Sequence, residues 1–258
     1  MSGLVGTGAV MRSAFADAAS RRSAFVTQVG AMVVNDVVWV AFWFLFFDQV
    51  GSVRGWDTER VLLLLAVLTT SAGLVLGLFS NARRLPTLVE DGSLDEVLAL
   101  PVAPLPHLLV RRVDVVNLGD VAFGVVLFLV AGGPTPQRAL VFVAGVLASA
   151  LLLTGFLVLV GCLTFVGTHH RVSDLGLEAV LLLSSYPADV FSGATKALLY
   201  SALPAAFVSA VPARLVDDFD LGDAGLLLAV AVGFAALGWT AFTAGLRRYS
   251  SGSAWGRG

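Results

Sequence analysis

Long apolar runs separated by short polar punctuation set the pattern of this chain. A run of about 20 apolar residues is the length at which an α-helix crosses bilayer hydrocarbon. On that measure the pattern predicts spans over about 25–47, 60–80, 113–131, 138–166 and 225–246. One stretch breaks the rhythm. From Leu175 to Val211 the chain stays apolar for too long, because an unbroken helix at 1.5 Å per residue would run roughly 55 Å against roughly 30 Å of hydrocarbon. Ser184, Ser185, Tyr186 and Pro187, then Pro204 and Pro212, punctuate it. Two readings stay open: a fifth helix over about 172–187 with a re-entrant pair over 188–212, or a surface helix over 172–185 followed by a span over 188–211. Backbone that leaves helical geometry at membrane depth is tolerated only inside protein or beside water, so a broken segment suggests a pathway or gate.

The flanks of these runs carry further signals. Residues 10–24 place Met11, Phe15 and Ala18 on one face and Arg12, Asp17, Arg21 and Arg22 largely elsewhere, the pattern of an interfacial helix. No short apolar core followed by a small-residue cleavage site precedes the first span, so a signal peptide is not expected. Trp39, Phe42, Trp43, Phe44, Phe46 and Phe47 read as an interfacial aromatic belt. Gly73 and Gly77 form a small-residue face for close helix packing. Gly132 to Pro136 is short enough only for a hairpin between antiparallel helices.

Arginine placement orients the chain, since cytoplasmic loops collect Lys and Arg. With the N-terminus inside, Arg12, Arg21, Arg22, Arg83, Arg84, Arg111, Arg112, Arg171, Arg247, Arg248 and Arg257 are inside, and Arg54, Arg60, Arg138, Lys196 and Arg214 outside. Both termini are then cytoplasmic and the crossings are even in number. The expected fold is all-α and polytopic, with six transmembrane helices, an N-terminal interfacial helix and a re-entrant segment between the fifth and sixth spans.

Composition agrees: 57% of the residues are hydrophobic and 13% charged, where soluble domains carry about 25% charged residues. No polar block is long enough for a soluble domain, so residues 1–258 read as one transmembrane domain in a lipid bilayer, with no nucleic-acid partner. The single cysteine, Cys162, excludes an intrachain disulfide and reads as a buried small hydrophobe. The chain's only lysine, Lys196, follows Gly193-Ala194-Thr195, which lacks the spacing of a phosphate-binding loop. No catalytic residue, cofactor or metal site is therefore expected. His107, His169 and His170 lack a zinc-binding spacing, and His169-His170-Arg171 reads as a solvated turn.

Polar groups inside the spans are the sharper signal. Asn35 and Asp36 sit near the middle of the first span, where ionisable residues are costly and normally face a bundle interior or an aqueous cavity. Asp36 reads either as a pathway residue or as a packing contact. Asp114, Asn117 and Asp120 recur at three-residue spacing on one predicted face of the third helix, where they line a path or pair with Arg111 and Arg112. Asn35, Asp36, Asn117 and Asp120 are the pathway candidates. In the connector after the second span, a turn at Asp91-Gly92 precedes Ser93 and Glu96, spaced as a capping box for a short helix closed by Pro101. Leu94, Val97 and Leu98 would form its apolar ridge, offered to a docked partner.

Together the succession of interfacial helix and six spans, the Val89 to Pro101 connector, Tyr186-Pro187, Leu203-Pro204-Ala205-Ala206-Phe207 and Val211-Pro212-Ala213 resembles the membrane permeases of type-2 ABC exporters. The branch it resembles includes bacterial viologen-export permeases. The resemblance covers nearly the whole chain. It implies two permease subunits, a second copy or a paralogue, working with two cytoplasmic ABC ATPase subunits that bind ATP and Mg. It further implies residence in the bacterial cytoplasmic membrane. Gly92, Ser93, Leu94, Asp95, Glu96, Val97 and Leu98 would dock on the ATPase as a coupling helix. Tyr186, Pro187, Pro204, Phe207 and Pro212 would form an external re-entrant gate. An ion-coupled secondary transporter using the intramembrane Asp residues, and a non-transporting scaffold, are the competing readings.

Overall fold

The computed structural model describes residues 22–249, all helical apart from an isolated bridge between Val53 and Trp56. The expected interfacial helix over 10–24 lies almost wholly outside the described residues. The elements are α1 (Arg22–Val50), α2 (Thr58–Leu78), α3 (Asn81–Glu90), α4 (Leu94–Leu98), α5 (Pro104–Val110) and α6 (Leu118–Ala131). They continue with α7 (Pro136–Gly161), α8 (His170–Ser184), α9 (Gly193–Leu199), α10 (Val211–Asp217) and α11 (Leu221–Leu246). A 3-10 turn (Cys162–Val166) prolongs α7, another (Ala188–Val190) follows α8, and a π turn (Ala206–Ala210) leads into α10. Among the described residues four helices are long and apolar enough to cross a membrane: Val26–Val50, Thr58–Leu78, Pro136–Val166 and Leu221–Leu246. The chain is a multi-pass membrane protein. The shorter α6 is apolar as well.

At the centre stands α2, which buries most of its length against α6 and α7. Its start is fixed by Asp57, whose carboxylate accepts from the Arg60 N–H at 3.0 Å. The small-residue face acts as the sequence predicts. A Cβ on Gly73 would lie 2.8 Å from the Val121 backbone nitrogen, and one on Gly77 would lie 2.6 Å from Leu118. Gly124 returns the contact from α6, backed on Thr69, Thr70 and the Ala66 carbonyl. A second close crossing joins α7 to α11 at Gly155 and Gly238, where any added Cβ would meet backbone at 2.6–2.7 Å.

Two ends of the bundle differ in character. At one, called here the Glu90 end, α3, α4 and α5 fold over the helix termini. The Asn81 amide donates to the Leu108 carbonyl at 2.8 Å, and the Glu90 carboxylate accepts from the His170 backbone N–H at 2.7 Å. At the opposite, Arg60 end, Arg60 and Arg138 converge on the Asp217 carboxylate at 2.8 and 3.0 Å. The hairpin before α7 is as expected: Gly133 takes a φ of +50°, Thr135 caps the helix through Arg138 N–H, and Pro136 opens it.

Several expectations change. The third apolar run is helical only from Leu118, because the Asp114 carboxylate accepts from Val116 N–H and closes a turn ahead of the helix. Asp114 is therefore not on a shared helix face with Asn117 and Asp120. The aromatic belt divides: Trp43 and Phe47 are buried, whereas Phe42, Phe44 and Phe46 are exposed. Trp43 is buried because its indole N–H donates to the Ser185 carbonyl at 3.1 Å. His169, His170 and Arg171 are solvent-exposed as expected, but His170 and Arg171 open α8 rather than forming a turn, and His170 is tied to Glu90. Residues 188–211 form short pieces broken at Phe191 and at 200–204, not one continuous helix.

Candidate functional site

Between α1, α2, α6 and α8 lies a cavity of about 240 Å³. Asn35, Asp36 and Trp39 reach it from α1, Thr69 from α2, Asp120 and Phe123 from α6, and Ser185 from the end of α8; aliphatic side chains complete the wall. Asp36 is only 7% exposed. Its Oδ1 accepts a long bond from the Asn35 amide at 3.4 Å, while its Oδ2, and Oδ1 of Asp120, find no hydrogen-bond partner among the described residues. The hydroxyls beside them donate elsewhere: Thr69 to the Leu65 carbonyl at 2.9 Å and Ser185 to the Leu181 carbonyl at 3.0 Å. Among the described residues neither Lys, Arg nor His lines the cavity. Two carboxyl groups thus face one apolar space without a basic partner among the described residues. Burying a carboxylate unpaired is costly, and intramembrane ionisable groups mark substrate or ion pathways.

Three of the four pathway candidates, Asn35, Asp36 and Asp120, meet here. The fourth, Asn117, sits at the start of α6 with its carbonyl against Gly73, away from the cavity wall. Pairing with the neighbouring arginines does not occur for Asp120, since Arg111 is engaged by Glu96 at 3.0 Å. Thr69, Trp39 and Ser185 were missing from the sequence candidates. Trp39 reads as interfacial by composition but packs edge-on against Tyr186 at 5.6 Å.

The residues expected to form a gate lie between the Arg60 end and the middle of the bundle. Tyr186 packs edge-on against both Trp39 and Trp43, and against Phe191. Pro187 opens the next turn. The Pro204 carbonyl accepts from Phe207 and Val208 N–H, Phe207 packs on Tyr200, and Pro212 rests on Gly145. The π turn explains how Pro212 is accommodated. A proline ring clashes with the carbonyl four residues back in a regular helix, and the widened turn over Ala206–Ala210 relieves that clash. Depth is set by two hydroxyl contacts: Ser149 in mid-α7 donates to the Phe207 carbonyl at 3.3 Å, and Ser209 donates to the Ser184 carbonyl at 2.6 Å. Both ends of the segment return to the Arg60 end.

Asp189 anchors the start of this segment. It accepts from Lys196 at 2.8 Å, from Arg214 at 3.1 Å and from the indole N–H of Trp56 at 3.2 Å, while Arg54 donates to its backbone carbonyl at 2.7 Å. Partial burial would raise its pKa, but the bonds from Lys196 and Trp56 and the charges of Arg214 and Lys196 hold it below the usual carboxylate range. The bond to Asp189, then its charge, raises Lys196.

At the Glu90 end the coupling candidates are arranged differently from the sequence expectation. Gly92 turns with a φ of +78°. Ser93 does not cap α4: it lies in helical geometry and its Oγ donates to Asp91 Oδ1 at 2.6 Å. Glu96 cannot complete a capping box because it is held by Arg111. Leu94 and Val97 are buried in the chain's own core, where α4 packs on α5, so of the expected ridge only Leu98 is exposed. Asp95 is half-buried, and Leu98, Leu100 and Val102 supply the exposed apolar surface.

The profile of a family described as ABC-2 family transporter protein matches residues 33–253. The match identifies the family and assigns no branch within it. No curated protein and no solved structure matches the chain. The matched region takes in α1 from its middle, every later helix, the carboxylate cavity and both polar ends, and the chain belongs to the ABC-2 transporter family, a membrane component of ABC transport.

Proposed function

We infer that the chain is the membrane-spanning permease subunit of an ABC exporter, forming its translocation path as a dimer with a second copy or a paralogue. Separate cytoplasmic ATPase subunits, which bind ATP and Mg, drive it. The observation that carries this reading is family membership over 33–253. The Glu90 end is the cytoplasmic end of a protein in the bacterial cytoplasmic membrane, with both termini on that side. The arginines of α3 and of the end of α11 support this orientation. Six crossings follow if α6 and α8 span together with the four long helices, and residues 188–217 then form a re-entrant element on the outer face.

Docking of the ATPase falls to α4 and the residues after it. Because Leu94 and Val97 are used internally, the contacting side chains are Leu98, Leu100 and Val102 with Glu96 beside them. The broad exposed apolar faces of α1 and α11 suit lipid and a second permease subunit. Copurification tests the reading. The affinity-tagged chain should bring down a P-loop ATPase from its own membranes, and Leu98→Asp with Leu100→Asp should lose it while the chain stays monodisperse. Full retention of the ATPase by that double variant would remove the α4 surface as the coupling element.

A second reading rests on one observation, the two carboxyl groups sharing a cavity, which also suits an ion-coupled secondary transporter. Transport that persists without ATP and collapses with the proton gradient would favour it.

A further inference from the structure

We propose that a groove between the last turns of α7 and α11, at the Glu90 end, is a binding site for an acidic phospholipid, with one acyl chain in the groove and the phosphate on Arg248. The groove encloses about 280 Å³. Leu159 in α7, with Leu163 and Val166 in its 3-10 extension, forms one wall, and Ala241, Ala244 and Gly245 of α11 form the other. Large residues thus face small ones across a fixed spacer. Phe165 lies against Gly245 and is held edge-on by Phe242 and Tyr249 at 6.2 and 6.1 Å, so the two walls cannot close on each other. Leu163 and Val166 are left 41% and 60% exposed.

Depth, width and charge together name the occupant. The walls belong to the final turns of the apolar spans Pro136–Val166 and Leu221–Leu246, so the groove lies in hydrocarbon and ends where hydrocarbon gives way to headgroups. Aliphatic walls offer water no partners. A space of this size cannot take a helix of roughly 10–12 Å diameter, whereas an unbranched alkyl chain fits it. Arg248, two residues beyond the end of α11, is the one charged residue in the wall among the described residues. Its side chain is exposed and has no hydrogen-bond or ion-pair partner among them, and neither has that of Arg247 beside it. A guanidinium matches a phosphate bidentately, and arginines at a membrane edge gain most from lipids of net negative charge. A phosphatidylcholine headgroup brings its own cation and gains less.

This site is a property of the chain in a membrane and depends neither on the permease reading nor on the side that the Glu90 end faces. The test is photocrosslinking of the purified full chain in dodecylmaltoside, with phosphatidylglycerol carrying a diazirine on its acyl chain as probe. Label is expected to saturate at one lipid per chain, in peptides covering 159–166 and 241–248. Unlabelled phosphatidylglycerol should displace it at about fivefold lower concentration than phosphatidylcholine with the same chains. Arg248→Gln should remove most of that preference, Arg248→Lys should keep it, and Ala244→Phe, which fills the groove, should remove the label while the protein stays monodisperse. Should a variant fail to fold, the wild-type map and headgroup comparison decide alone. Label spread evenly along the lipid-facing helices, equal displacement by the two lipids, or a preference unchanged in folded Arg248→Gln would overturn the assignment. So would a groove closed to the probe in the wild type, the result expected if residues 250–258 or a second copy of the chain fill it.

Discussion

Replacing Asp189 by alanine removes the acceptor on which the outer segment is anchored, and the cost can be worked from its three partners. Trp56 is 2% exposed, so its indole N–H loses its bond with no water to replace it, at about 1–3 kcal/mol. Lys196 and Arg214 have side chains 44% and 36% exposed, and each pair is screened accordingly to roughly 0.2–1 kcal/mol. The sum is about 1.4–5 kcal/mol, a fall in apparent Tm of roughly 3–20 °C for a chain of this length. Asp189→Asn keeps an oxygen for Trp56 and should fall by less than half as much. Thermal melting in a single detergent reads both variants, and Trp56→Phe closes a double-mutant cycle in which Asp189→Ala should cost markedly less. Alanine and asparagine variants that both melt within about 1 °C of wild type would refute the anchoring role.

The same group gives a pH dependence. Its folded pKa is lowered, so its contribution is present above the unfolded value of about 3.9 and is lost as pH falls through the folded value; Asp189→Asn should abolish that acid limb of a Tm–pH profile. Leu94→Asp should leave little monodisperse protein on size-exclusion chromatography, because it places a charge among fully buried residues, whereas Leu98→Asp should elute as wild type. Gly155→Val should lower the Tm by several degrees by driving α7 off α11 against unyielding backbone, an overpacking cost of roughly 1–3 kcal/mol or more, while Gly233→Ala, which meets nothing within 4 Å, should be neutral or slightly stabilising.

The elements most readily read from sequence were those with a single strong cause. Apolar length marked α1, α2, α7 and α11, the glycine spacing marked the α2–α6 contact, and Gly-Pro chemistry marked the hairpin before α7. Asn35, Asp36 and Asp120 were legible because a polar group in a membrane-length run stands out whatever surrounds it. What failed depended on competition between partners. Ser93 had the spacing of a cap, but Asp91, two residues away, reaches its hydroxyl first. Glu96 was within the motif, but Arg111 on another segment holds it. Leu94 and Val97 had the periodicity of an exposed ridge, and periodicity alone does not say whether the covering surface belongs to a partner or to α5. Trp39 and Ser185 carry signals of another kind, an aromatic belt and a break, and Thr69 carries none; only the crossing of α1, α2 and α8 makes them neighbours.

ATP turnover tests the central claim most directly. The purified chain alone in nanodiscs should hydrolyse no ATP above empty nanodiscs. The same chain copurified with its ATPase should hydrolyse ATP, and that turnover should fall when Leu98→Asp and Leu100→Asp detach the two. Robust hydrolysis by the chain alone, or turnover in the complex indifferent to that surface and to the chain's presence, would contradict it.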